Sequence, residues 1–301
     1  MRDLAVSAWL GTTWAARDVV SVAQEAERAG YDGVWVADHF MANTGTEEVS
    51  PRGLLECFSV LAGLATAVPR VRLGSLVASM TYRHPAVLAN IAATLHDLSD
   101  GRLVLGVGAG WQLNEHAAYG IELGSVRERI DRFEEGVAVL DGLLRTPETT
   151  VKGEYYTVRG APTVTGDAAP APRVPILVGA GGEQRMLGVV ARHADEWNCW
   201  STPEVFAHKS AVLDEHCARI GRDPAEIRRS TQALFHIDGD PGETPAGPVV
   251  VSGSVGEIVD TIGRWRETGL DELIVPGMRG TPAEAVALFE RFRSEIIPQL
   301  D

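Results

Sequence analysis

The sequence predicts a closed, parallel α/β barrel built from eight strand–helix units, and three observations carry that prediction. Eight short apolar runs each precede an amphipathic stretch, an order that favours parallel strands joined by crossover helices. Polar or glycine-rich clusters recur just past strand ends, at Asp38-His39, Gly106–Gly110 and Gly179–Gly182, as they do around the mouth of a barrel. The 301 residues, 45% of them hydrophobic, suffice for one large core. We therefore read a single domain over 1–301, with an insertion at about 112–173 and a turn-rich loop at about 238–254.

Leu4–Leu10 reads as the first strand and Ala16–Ala29 as its helix, with Val19, Val20, Ala23 and Ala26 at helical spacing and Gly30 ending it. Val34–Ala37 is the second strand. The helix expected over Leu54–Ala67 is apolar nearly all round, as a helix buried on two sides would be, which points to a homodimer. Val71–Ala78 is the third strand, and Pro85 suits the first turn of a helix through Leu98. Leu103–Val107 is the fourth strand.

The alternation then pauses. Asn114–Ile121 reads as a short helix and Val126–Leu144 as a longer one with a Glu128/Arg132 pair. Thr149–Thr165 reads as a hairpin turning at Lys152-Gly153, followed by a Pro/Ala-rich loop to Pro175. The pattern resumes with strand Ile176–Val178, helix Glu183–His193, strand Glu196–Cys199 and helix Pro203–Ile220. Strand Thr231–Ile237, helix Val255–Glu267, strand Glu272–Val275 and helix Pro282–Ile297 complete it.

Composition excludes several classes. A net charge of −14 without any basic block opposes nucleic-acid binding. No apolar run reaches the roughly 18–20 residues of a membrane span, and MRDLAVSAWLG lacks the long apolar core of a signal peptide. Cys57, Cys199 and Cys217 are scattered and odd in number, so neither a disulfide framework nor a zinc ribbon is expected, and a reducing cytoplasm fits. No HExxH or carboxylate cluster suggests a metal, and no GxSxG suggests a serine hydrolase.

The clusters admit chemical and structural readings side by side. GVGAGW fails the dinucleotide fingerprint on spacing. Its glycines either let the backbone approach a flat ligand or phosphate, or serve packing alone. Asp38-His39 offers a proton donor near neutral pH, or else a satisfied edge histidine beside a capping carboxylate. GAGGEQR before a helix offers backbone N–H groups and Arg185 to an anion, or a ligand-free turn. Trp9, Trp111 and Trp197 are candidates for a substrate pocket wall, with buried packing as the alternative. His208 and His216 are expected to face solvent.

At these clusters, in WVADHF, RLGSLVASMTYRHPAVLANIAATLHDLSDGRLVLGVGAGW, PILVGAGGEQR and ARHADEWN, the chain resembles the bacterial luciferase-like monooxygenase superfamily. Within it, the Asp-His pair with GVGxGW resembles the actinobacterial oxidoreductases that use the deazaflavin coenzyme F420. The resemblance implies a ring bound against a bulge of the third strand with a non-prolyl cis peptide at Ser75–Leu76, and Ala78 near the ring. It implies ring or ribityl contact for Asp38, proton donation by His39, and cofactor contacts from Ala109, Gly110 and Asn114. Gly181, Gly182, Gln184 and Arg185 match its phosphate-binding turn. Sugar-phosphate-oxidising relatives carry an acid where this chain has Trp111, a departure that implies a more apolar small-molecule substrate. The implied activity is hydride transfer at the deazaflavin C5, with no metal. An FMN-dependent monooxygenase using dioxygen and a non-catalytic F420-binding protein are the alternatives.

Overall fold

The computed structural model describes residues 4–163, 173–239 and 248–300. The chain divides into two compact units, Met1–Trp35 with Ala180–Asp301, and Val36–Gly179. The first unit opens with β1 (Ala5–Leu10) and α1 (Ala16–Arg28), and the boundary between units falls within β2 (Gly33–Val36).

The second unit contains α2 (Cys57–Ala67), β3 (Arg72–Ser75), β4 (Ala78–Ser79), α3 (Pro85–Leu98) and β5 (Leu103–Gly108). It continues through α4 (Leu113–Tyr119), α5 (Val126–Arg145), β6 (Glu148–Lys152), β7 (Thr157–Pro162) and β8 (Ile176–Gly179). β5 is its centre: Leu73 of β3 pairs with Leu103, and Leu105 pairs with Ile176 of β8, both in parallel. Every β5 residue is buried, as expected of a parallel strand covered on both faces. α5 presents Phe133, Val137, Leu140 and Leu144 on one buried face, each worth about 1.5–3 kcal/mol of burial. Glu128, expected to pair with Arg132, instead completes a capping box with Ser125 at the start of α5. β6 and β7 form the expected hairpin, whose projected end at Thr165 lies outside the described residues.

The third strand departs from expectation. It is broken between β3 and β4, and the non-prolyl cis peptide is Leu76–Val77, one residue beyond the Ser75–Leu76 bond implied by resemblance. Ser75 remains in β3, its Oγ donating to the Gly106 carbonyl at 2.8 Å, and the Leu76 amide donates to the Val36 carbonyl at 2.8 Å. The glycines of β5 explain where the break fits. A Cβ on Gly106 would collide with the Ser75 carbonyl, and one on Gly108 would lie 2.8 Å from Val77 Cγ2. These two glycines thus make room for the protein's own bulge. Gly110 differs, with φ +86° in the left-handed region.

The first unit resumes with α6 (Met186–His193), β9 (Glu196–Asn198), α7 (Pro203–Ile220), β10 (Arg228–Gln232) and β11 (Leu234–Ile237). β12 (Val250–Gly253), α8 (Val255–Glu267), β13 (Glu272–Pro276) and α9 (Pro282–Arg291) complete it. β1, β13, β10 and β9 pair in that order, all parallel. The strand expected over Thr231–Ile237 is two strands, since Leu234–Ile237 pairs separately with β12. Of the expected 238–254 loop, residues 240–247 lie outside the described residues. Buried Glu272 ties this unit together. It accepts from Ser7 Oγ at 2.6 Å and Trp35 Nε1 at 3.0 Å on one oxygen, and from Arg228 Nε at 3.2 Å on the other. The closing helix stops at Arg291 and continues as a wider turn over Phe292–Ile296. Pro298 accounts for this, because it lacks an N–H and crowds the carbonyl four residues earlier. Among the described residues no helix is long and apolar enough to cross a membrane.

Candidate active site

The second unit gathers a dense set of polar side chains where β2 and β4 end. Asp38, only 1% exposed, receives Arg83 in a two-pronged contact, Nη1 to Oδ2 at 2.7 Å and Nη2 to Oδ1 at 3.0 Å. The Ser79 amide adds a bond to Oδ2 at 3.1 Å. Arg83 also reaches Glu56 Oε1 at 2.5 Å and lies 4.7 Å over the Phe58 ring. Burial pushes the Asp38 carboxyl up, against the opposing pull of Arg83. With both oxygens engaged, Asp38 acts as a post that ties the β2 end to β4.

His39 has a different partner. Its Nδ1 lies 2.7 Å from Glu115 Oε1, while the Phe40 amide donates to Glu115 Oε2 at 2.6 Å. The imidazole also meets Trp111 edge-on at 5.6 Å. Burial alone would raise the fully buried Glu115 carboxyl. Bonds from His39 and the Phe40 amide, with Tyr82 nearby, bring it below the usual range.

Gln112, just before α4, and Asn114 within it hold the same loop at two more positions. Gln112 Nε2 donates to the Met41 carbonyl and Asn114 Nδ2 to the Ala42 carbonyl, each at 2.9 Å. Asn114 is fully buried, and its Oδ1 has no partner among the described residues. His116 Nδ1 lies 2.6 Å from the Gln112 carbonyl and Nε2 2.7 Å from Thr81 Oγ1, which lies 2.7 Å from Ser79 Oγ. A carbonyl only accepts, so Nδ1 carries the hydrogen. Burial lowers the proton affinity of His116, so its neutral Nε2 accepts from Thr81, and Thr81 accepts from Ser79. Ala78 is buried in β4, beside this chain of hydroxyls. A Cβ on Gly110 would lie 2.7 Å from Ser79 Oγ. Phe40 packs on Tyr82 and Tyr119 with ring centroids 4.5 and 5.2 Å apart.

The first unit carries the other expected cluster. Gly181 and Gly182 are exposed, and a Cβ on Gly182 would make only ordinary contact with Met186 at 3.4 Å. The helix starts at Met186, three residues later than expected. Gln184 precedes it in a turn, and Arg185 occupies the cap position. Lys209 Nζ donates to the Gly181 carbonyl at 2.5 Å and to Glu183 Oε1 at 3.1 Å. His216, expected in solvent, instead donates from Nε2 to the Glu183 carbonyl at 2.7 Å. His208 lies 3.2 Å from Glu183 Oε1.

The three tryptophans separate. Trp111 is 56% exposed and free to line a pocket. Trp9 is buried, with its ring 5.8 Å from Trp200. Trp197 is sealed: it stacks on Phe206 at 5.3 Å and donates Nε1 to the Ala180 carbonyl at 2.8 Å. Packing therefore replaces the pocket role expected of Trp197.

Sequence reasoning missed Glu115, Arg83, Glu56, Thr81, His116 and Lys209. Glu115 and His116 lie side by side in a short helix whose apolar Leu113 and Tyr119 are exposed while Asn114, Glu115 and His116 are buried. That inversion is visible only in the burial, so the sequence held no signal for these residues.

A model described as luciferase-like monooxygenase matches residues 4–247. An F420-dependent glucose-6-phosphate dehydrogenase from Kineococcus radiotolerans is 33% identical over 225 residues, covering 73% of this chain and 64% of that protein, under two thirds of its length. The namesake protein from Beutenbergia cavernae is 30% identical over 95% of this chain and 94% of its own. Among solved structures, an F420-dependent secondary alcohol dehydrogenase in complex with an F420-acetone adduct superposes with a TM-score of 0.84, at 20% identity, over 100% of both chains. The coenzyme F420-dependent tetrahydromethanopterin reductase of Methanopyrus kandleri gives 0.80 at 17% identity, over 99% of this chain and 100% of that one. These likenesses show the fold, the parallel α/β barrel that the sequence predicts. With the family model spanning most of its length, the chain belongs to the luciferase-like monooxygenase family.

Proposed function

We propose that this chain is an F420-dependent oxidoreductase acting on a small, apolar organic substrate. The observation that carries the reading is the pairing of His39, held through Nδ1, with the exposed Trp111 at its edge. The relatives named as F420-dependent enzymes support the choice of cofactor. The residues present fit a deazaflavin. Asn114 offers a buried oxygen lacking a donor, which suits the N–H of a heterocycle. The bare turn at Gly181 and Gly182 suits a phosphate, with Lys209 on its carbonyl.

Asn114, Ala109, Gly110 and the Ser75–Ala78 bulge of the second unit would hold the ring. When bound, the deazaflavin supplies two-electron hydride chemistry at C5. His39 Nε2 gives or takes the substrate proton. Asp38, tied to Arg83 and Ser79, fixes the loop that carries His39. Trp111 and the ring of Tyr119 present apolar surface to the substrate.

Glucose 6-phosphate is the second reading, favoured by the names of the sequence relatives. Absorbance of F420 can be followed with small secondary alcohols and ketones beside glucose 6-phosphate. Turnover with the apolar compounds alone is the expected result. Turnover with the sugar phosphate alone would replace the substrate class, and none with F420 in any pairing would remove the reading. We further propose a homodimer, supported by α2, whose outer face is made largely of small residues. Light scattering showing a 32.3 kDa species only would reject it. The three buried thiols suit a reducing cytoplasm.

A further inference from the structure

We infer that Glu115 is a positioning residue for His39. It holds the neutral ring as the Nδ1–H tautomer and leaves Nε2 to exchange a proton with substrate. The inference rests on the reading of His39 given above, and the geometry supplies each part of it.

The carboxylate is the only kind of group at this position that accepts at both oxygens at once. One oxygen takes His39 Nδ1 at 2.7 Å and the other takes the Phe40 amide at 2.6 Å, so a single side chain fixes both the imidazole and the backbone that follows it. Glu115 is fully buried whereas His39 retains 25% of its side-chain exposure, so the pair presents only its histidine outward. A carboxylate accepts and does not donate, which places the hydrogen of a neutral His39 on Nδ1. The same carboxylate stabilises the imidazolium that forms when Nε2 takes a proton, as an orienting carboxylate does for other catalytic histidines.

Asp38 cannot take this part, although it adjoins His39 in sequence. Both its oxygens are occupied by Arg83 and the Ser79 amide. Among the described residues, the ionisable groups around His39 are Asp38 with its partner Arg83, Glu115 and His116 on α4, and Tyr82 beyond β4. Of these, Glu115 alone bonds to the ring.

Nitrogen-15 NMR of the imidazoles in cofactor-free protein tests this without any turnover. In the wild type, the neutral His39 signal should be that of the Nδ1–H tautomer. In Glu115→Gln, which keeps one acceptor oxygen for two donors, the Nδ1–H share of the neutral His39 signal should fall. Glu115→Asp should restore part of the difference. In the loaded enzyme, Glu115→Gln should lower kcat roughly 10–100-fold while leaving the F420 Kd within about twofold. An unchanged tautomer balance in a folded Glu115→Gln would overturn the inference. If that variant does not fold, a dominant Nε2–H tautomer in the wild type overturns it instead, and the Nδ1–H tautomer upholds it. Protein that passes the NMR test and binds no F420 retains the dyad and refutes the cofactor reading alone.

Discussion

The loop after β2 and the turn at 180–185 both follow a buried strand, yet they are built in opposite ways. In the first, five successive residues are each held by a polar contact: Arg83 and the Ser79 amide on Asp38, Glu115 on His39 and Phe40, Gln112 and Asn114 on the next two carbonyls. In the second, two exposed glycines leave the backbone bare, and Lys209 reaches a carbonyl from α7. The difference matches the roles proposed for the two segments. A group that moves a proton has to be held in one rotamer and one tautomer. A turn that receives an anion needs accessible N–H groups and no Cβ in the way.

The largest effect should come from removing the held group. His39→Ala should slow turnover by roughly 10²–10⁴-fold while the F420 Kd changes little, as read by single-turnover rates beside a binding titration. A near-normal rate in a stable variant would take His39 out of the chemistry. Next in size is the post beneath it. Asp38→Ala removes the two-pronged partner of Arg83 and leaves it only Glu56, which should cost about 1–3 kcal/mol of stability by denaturant melts. A loss of turnover without that destabilisation would move Asp38 from support to catalysis.

The bare turn should respond differently. Gly182→Val should leave the melting temperature in place, since a Cβ there makes only ordinary contact with Met186. It should weaken F420 binding by about tenfold by crowding the exposed amides. Equal affinity would place the phosphate elsewhere.

The smallest effect is on pH dependence. Burial lowers the proton affinity of both His116 and His96. Their folded values therefore lie below the unfolded value of about 6.5. The stability linked to their neutral rings is present above that value and lost as pH falls through the folded ones. The lowered carboxyls of Glu115 and Glu56 act the same way, but only as pH falls below about 4.5. Melting temperature should thus drop between pH 7.5 and 5.5, and His96→Gln should reduce the drop. A flat profile in that window would contradict the neutral, hydroxyl-bonded His116.

Much of the barrel was legible, because buried parallel strands and amphipathic helices differ in period and length. The site was legible only where chemistry sat at a strand end, as at Asp38-His39 and the glycine turn. Glu115 was not, because it bonds His39 from 76 residues away in a helix whose polar side is the buried one. The glycines of β5 were read as room for a ligand or as packing. Only the third-strand bulge shows that Ser75 and Val77 use the space at Gly106 and Gly108. The late start of α6 escaped because residues 183–185 turn without entering the helix, a local choice that side-chain periodicity does not record.

Parallel equilibrium titrations of the purified protein with F420 and with FMN test the central claim most directly. The likeness to relatives named as F420-dependent enzymes predicts a clearly lower Kd for F420. A clear preference for FMN would contradict the account and move the chain to oxygen-using chemistry.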